Sequence, residues 1–228
     1  MKTLLIVGVT FVMVVAIGLF LFWRNLFPDV CHYRNLTLHY QAKDAADTSE
    51  LLLAARKMES SIVFDSAKSY NIYLCPSPSS FRMLAPTSPG ANATMYENFK
   101  VVVLRPSPYP IEQGPELPRR MSTMAGLIST TITRNGLGDD SLASNAARWK
   151  SIGYSEYIGG DSLQNTRTLC QSGTTINEPS ALLESIKDQL AVTYLLRNGM
   201  GFDSILSRHI HRDSILKIIC ESSGVPEP

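Results

Sequence analysis

Residues 120–138 read RMSTMAGLISTTITRNGLG, and residues 149–162 read WKSIGYSEYIGGDS. In the first stretch Met121, Ala125, Ile128 and Ile132 fall on one stripe at helical spacing, and Asn135-Gly136 supplies a stop signal. This predicts a helix over 119–134, whose final five positions are Thr130, Thr131, Ile132, Thr133 and Arg134. A second helix is expected over 144–154, with Ile152 between Trp149 and Gly153. How these two helices meet the rest of the chain decides the fold.

Upstream, Leu36, Leu38 and Tyr40 alternate with polar residues, the period of a half-buried strand. Asp47 or Thr48 can cap a helix with Glu50 in its first turn and Leu52, Ala55, Met58 and Ile62 on its apolar side. Asn71–Cys75 reads as a second strand, ended by Pro76 and Pro78. Residues 76–92 are expected to be mostly loop, with one turn of helix near Phe81. Phe99–Leu104 forms a third strand around Val101-Val102-Val103. The prolines between Pro106 and Pro118 require an extended connection. Downstream, Pro179–Leu196 is a helix with Leu182, Leu183, Ile186, Leu190 and Tyr194 on its apolar face, stopped by Asn198-Gly199. Short helices over 202–207 and 213–220 follow. Strand, helix, two strands and then helices describe an α+β domain: a small sheet followed by a helical half.

The N-terminus adds a separate element. Residues 3–23 carry no charge and are bracketed by Lys2 and Arg24. About twenty helical residues cover roughly the 30 Å of a bilayer core. No small-residue cleavage site follows, so the run reads as a retained transmembrane signal anchor rather than a cleaved leader. The expected organisation is a short tail at 1–2, the anchor at 3–23, a juxtamembrane linker at 24–34, the folded domain at 35–222 and a frayed tail at 223–228. A single-pass membrane protein with its domain on the exported side, periplasmic or extracellular, is the corresponding location.

Net charge is +1 and charged residues make up 18% of the chain. No basic stripe points to nucleic acid. Cys31, Cys75, Cys170 and Cys220 are widely spaced, with no Cys-x-x-Cys pair. An even count beyond an export segment suggests two disulfides. Cys31–Cys75 with Cys170–Cys220 would close one bridge in each half; other connectivities and buried free thiols stay open.

The helix at 125–138, Ala-Gly-Leu-Ile-Ser-Thr-Thr-Ile-Thr-Arg-Asn-Gly-Leu-Gly, resembles the Ala-Gly-x-Ile-Ala-His-Glu-Ile-Thr-His segment of bacterial gluzincin-type metallopeptidases, the zincin-like clan called peptidase MA. Trp149-x-x-x-Gly153-Tyr154-x-Glu156-Tyr157 is similar to that family's Trp-x-x-Glu-Gly-Tyr-x-x-Tyr segment. Residues 189–202, QLAVTYLLRNGMGF, resemble its helix ending in Tyr-Leu-Leu-x-x-x-Gly-Met-Ser, and Tyr70–Cys75 resembles the strand before its sheet edge. The resemblance runs discontinuously from about Cys31 to Leu206. It implies a small thermolysin-type domain with a short N-terminal sheet and a helical C-terminal half.

It also implies lost chemistry. In that family two His at i and i+4 and a later Glu hold zinc, and the Glu after the first His activates water. By position, Thr130 and Arg134 replace the two His, Thr131 the base and Ile152 the third ligand. A hydroxyl is a poor zinc ligand, a guanidinium offers no lone pair, and an isoleucine side chain offers nothing. Zinc is therefore expected to be absent, and no catalytic residue is assigned. The expected function is that of an inactive, membrane-anchored pseudopeptidase that binds peptide or protein partners or acts as a scaffold.

Arg134, Thr130 and Tyr157 are the expected binding residues, with peptide pairing along 99–104. Two alternatives stand beside this. One is a hydrolase with a displaced site built from His209, His211 and Glu156. The other is a structural subunit of an envelope complex. His209-x-His211 with Arg212 and Asp213 reads better as a polar junction between helices, and His32 and His39 as surface residues. Gly153 and Gly159-Gly160 read as turn residues.

Overall fold

The computed structural model describes residues 24–41, 48–88, 90–105, 123–138, 145–160 and 181–222. Its strands are β1 (Asp29–Tyr33), β2 (Leu36–Tyr40), β3 (Tyr70–Leu74), β4 (Ala93–Tyr96) and β5 (Val101–Leu104). Its helices are α1 (Thr48–Glu59), α2 (Pro78–Leu84), α3 (Met124–Gly136), α4 (Asn145–Gly159), α5 (Ala181–Arg197), α6 (Phe202–Ser207) and α7 (Arg212–Ser222). The five strands form one sheet in the order β1-β2-β3-β5-β4. The three central strands run parallel, and the edge strands β1 and β4 run antiparallel to their neighbours. The chain is thus an α+β protein with a mixed sheet followed by helices.

The sheet is covered on both faces, and the side-chain alternation of its strands assigns each residue to one. Leu36, Leu38, Ile72, Val102 and Leu104 meet Leu51, Ala54, Ala55 and Met58 of α1 and Ala125, Ile128 and Ile132 of α3. Tyr73, Cys75 and Val103 face the other way, against Phe81 of α2 and Phe27. Two covered faces explain why 101–104 is a continuous apolar run rather than an alternating one. They also place it in the interior: Val101–Leu104 pairs with β3 on one side and β4 on the other. The expectation of an open edge at 99–104 is corrected to β4.

Several other elements differ from the sequence reading, each for a physical reason. β1 lies inside the stretch expected to be linker. It pairs with β2 through a two-residue turn in which Arg34 takes a φ of 51°, a left-handed conformation costly for a side chain with Cβ. The preceding Phe27 is buried, and the Gln41 side-chain amide donates to the Leu26 carbonyl at 3.2 Å. The expected stripe of α1 is rotated. Leu51 and Ala54 join Ala55 and Met58 in the core, while Ile62 lies beyond the helix and is exposed. Three consecutive leucines at 51–53 leave the sequence period ambiguous by one position. His39 is half-buried instead of superficial. Its ring stacks on Tyr73 at 4.4 Å and meets Asn71 Oδ1 at 3.3 Å, and burial lowers its pKa.

The second half packs a core of its own. Trp149, Tyr154 and Ile158 of α4 meet Ala191, Val192 and Leu195 of α5, with Phe202 and Ile205 of α6. The Tyr154 and Phe202 rings stack at 3.8 Å. Helix α4 extends five residues beyond the expected Tyr154, so Gly153 sits in mid-helix rather than in a turn. A Cβ at Gly153 would come 2.6 Å from the Asp188 carbonyl carbon and 2.7 Å from Val192 Cγ2. Gly159 closes the same helix against α3, where a Cβ would collide with Thr130 Oγ1. Only Gly160, at φ 66°, has the expected turn role.

No disulfide joins Cys31 and Cys75, which overturns the pairing between them. Cys31 packs on the α1/α3 face of the sheet and Cys75 on the opposite face. Cys31 lies level with Ile72 two strands away, and Cys75 is three residues further on. Strand spacing and rise put their Cα atoms roughly 14 Å apart, twice the reach of a disulfide. The other proposed pair includes Cys170, which lies outside the described residues, as do the run at 3–23, residues 119–122 and Pro179. Among the described residues no helix is long and apolar enough to cross a membrane.

Two measurements test this packing. Gly153→Ala should lower stability in urea unfolding by about 1–3 kcal/mol, because overpacking outweighs the helix-propensity gain of roughly 1 kcal/mol. Iodoacetamide labelling in denaturant without reductant should modify both Cys31 and Cys75. In the folded protein Cys75 should stay protected, since burial pushes its thiol up to about 12 and excludes the reagent.

Candidate functional site

Helix α3 is fixed at its start by two oxygen acceptors. Thr123 caps it, its hydroxyl accepting from the Gly126 N–H at 3.0 Å, and Glu50 of α1 accepts from the Ala125 N–H at 2.8 Å. A carboxylate at this end also favours the helix dipole. The core-facing side carries Ala125, Ile128, Ser129 and Ile132. Ser129 is satisfied by donating to the Ala125 carbonyl at 2.7 Å. These contacts settle the helix's rotation, and therefore which residues face outward.

The outward stripe is Thr130, Thr131, Arg134, Asn135 and Gly138, at i, i+1, i+4, i+5 and i+8. It forms one wall of a pocket of about 550 Å³. The other wall is strand β4, through Ala93, Thr94 and Met95, with Ser88 and Glu97 at its margins. Three of the four positions singled out in the sequence thus share one pocket. Ile152 is not among its lining residues. Tyr157, expected in the same site, is 40% exposed and its ring neighbours Tyr154 at 6.4 Å; it does not line the pocket either.

Arg134 is partly engaged from behind. One N–H of Nη2 donates to Glu156 Oε1 of α4 at 3.1 Å. Glu156 is buried, and the Ser185 hydroxyl donates to the same oxygen at 3.4 Å. Gln189 Nε2 donates to the Glu156 backbone carbonyl at 3.0 Å, tying this turn of α4 to α5. The fold thus brings to Arg134 the carboxylate that the displaced-site alternative assigns to hydrolysis. This pairing uses one N–H of the guanidinium and leaves the others unused among the described residues.

A second ionic group continues from this one. Arg212 of α7 contacts Asp188 and Glu184 of α5, each at 2.7 Å, and its own neighbour Asp213 at 3.4 Å. Asp188 is buried, and burial pushes its carboxyl up, opposed by Arg212 and more weakly by Arg134. The sequence pointed to Arg212 only as part of a polar helix junction; nothing in it specified the two carboxylates on α5. Lys150 is likewise buried, donating to the Leu206 and Arg208 carbonyls at 3.3 and 2.6 Å. It satisfies the end of α6, and burial lowers its pKa.

His209 and His211 follow α6 as exposed residues whose rings lie edge to face at 4.8 Å. Their segment docks on Lys150, six residues before Glu156, or about 9 Å along α4. Glu156 itself is held by Arg134. The His209–His211 segment and Glu156 thus contact different residues of the chain. Among the described residues no group of three or more His, Cys, Asp or Glu side chains is arranged to hold a metal ion. The sequence matches no family model and no curated protein.

The Arg212 cluster gives a stability test. Arg212→Met removes the cation shared by Asp188 and Glu184 and leaves the buried Asp188 without its charged partner. Urea unfolding should show a loss of about 2–3 kcal/mol, between a charge-assisted hydrogen bond and a fully buried ion pair. Lys187→Met, at a half-buried partner of Glu184, should cost less than about 1 kcal/mol.

Proposed function

We propose that this chain is a membrane-anchored, exported pseudopeptidase: a zincin-like domain without hydrolytic chemistry, whose cleft binds an extended peptide or protein segment. The observation that carries the reading is the convergence of Thr130, Thr131 and Arg134 on one pocket beneath an antiparallel edge strand. Their side chains stand where the resemblance calls for two zinc ligands and a general base. None of the three can replace the group it stands for. A threonine hydroxyl is neither a good zinc ligand nor an effective base, and a guanidinium has no lone pair to offer a metal.

The binding half of the proposal rests on β4. Among the described residues it is the last strand of the sheet and pairs with β5 alone, so the N–H and C=O groups on its outer edge meet no described strand. A peptide added there gains main-chain hydrogen bonds, and its alternate side chains reach the pocket floor formed by α3. The strand is only four residues long, which limits uncontrolled edge pairing. The uncharged run at 3–23 supports the membrane part of the reading.

The test uses the full chain purified in detergent. Elemental analysis after exposure to zinc followed by desalting should find well under one equivalent, and a fluorogenic peptide library should show no hydrolysis above the buffer rate. Stoichiometric zinc with chelator-sensitive cleavage would overturn the proposal.

A further inference from the structure

The pocket carries more unused hydrogen-bonding capacity than a surface groove requires. Arg134 has five N–H donors and gives one to Glu156, while its side chain remains 44% exposed. The hydroxyls of Thr130, Thr131, Ser88 and Thr94 line the same space and make no side-chain hydrogen bond among the described residues. Guanidinium and hydroxyl groups together present donors aimed at one volume, and an oxyanion is the ligand that accepts from all of them. The Glu156 pairing sharpens this: it holds the planar fork in one orientation, so less side-chain entropy is lost when a ligand binds. On the facing wall Glu97 disfavours an anion, and its one ion pair is with Lys100 at 3.7 Å. An anion is therefore directed to the Arg134 end.

We propose that this pocket recognises the free C-terminal carboxylate of a peptide lying along β4, with Arg134 as the principal donor and Thr131 as its companion. The proposal rests on the peptide-binding reading above and adds to it the identity of the end group. An internal peptide unit offers Arg134 only a neutral carbonyl. A terminal carboxylate offers two charged oxygens that fit the guanidinium fork, while its preceding residues pair with the edge of β4.

The experiment screens random hexapeptides against the full chain in detergent, with one pool synthesised as free acids and a matching pool as C-terminal amides. Selection from the acid pool is expected, and the best sequences should bind roughly 10- to 100-fold more weakly as amides. Arg134→Gln should abolish that difference. Because this variant also disturbs Glu156, Thr131→Val serves as a second one, predicted to reduce the acid-over-amide preference several-fold with unchanged thermal unfolding. Equal binding of acids and amides would overturn the carboxylate assignment and leave the peptide cleft standing. Enrichment of Asp- or Glu-containing amides would show that the pocket takes a side-chain carboxylate, which overturns the terminal assignment. No enrichment from either pool would remove the peptide cleft as well.

Discussion

Helix α4 sits between α3 and α5 at separations that two glycines permit. A Cβ at Gly153 would run into the backbone of Asp188, and one at Gly159 into Thr130. Close approach on both sides brings Glu156 within hydrogen-bonding distance of Arg134 while its own carbonyl accepts from Gln189. The sheet half and the helical half have separate apolar cores, built around α1 and α3 in one and around α4 and α5 in the other. The α3–α4 contact joins them. Widening it by a single methyl group would strain both the junction and the orientation of Arg134 in the pocket.

The polar groups at this junction follow the rule that buried charge must be paired. Glu156 is met by Arg134 and Ser185, Asp188 by Arg212, and Lys150 by two carbonyls at the end of α6. Each arrangement consumes a side chain that, read alone, looks available for chemistry. Such pairs contribute little net stability over an apolar alternative, but breaking one leaves an uncompensated ion behind. They fix which helix faces meet, and so how α3 presents its outward stripe to β4.

The main elements were legible from residue periodicity. Strands β2, β3 and β5 and helices α3 and α5 lie close to where alternation, helical stripes and stop signals put them. The failures were equally physical. β1 reads as linker because a short alternating edge strand carries little apolar signal, and β4 gives no strand reading because its four half-buried residues carry still less. The extra turn of α4 was missed because Gly153 looked like a breaker. A glycine chosen for close helix packing and one chosen for a turn are identical in one dimension. The Cys31–Cys75 pairing failed because cysteine counts carry no information about which face of a sheet each residue occupies.

The sequence by itself determined an uncharged N-terminal run, an α+β order of elements, and a helix that carries hydroxyls and an arginine between its apolar positions. Those properties depend on local spacing and on the chemistry of single residues. Only the tertiary structure decided that Thr130, Thr131 and Arg134 share a pocket with β4 while Ile152 and Tyr157 do not line it, and that Glu156 pairs with Arg134. The physical reason is that helix rotation and strand order are set by burial of distant apolar faces, here α1 with α3 over the sheet and α4 against α5. That burial, and no local signal, brings residues 22 positions apart in the chain to 3.1 Å.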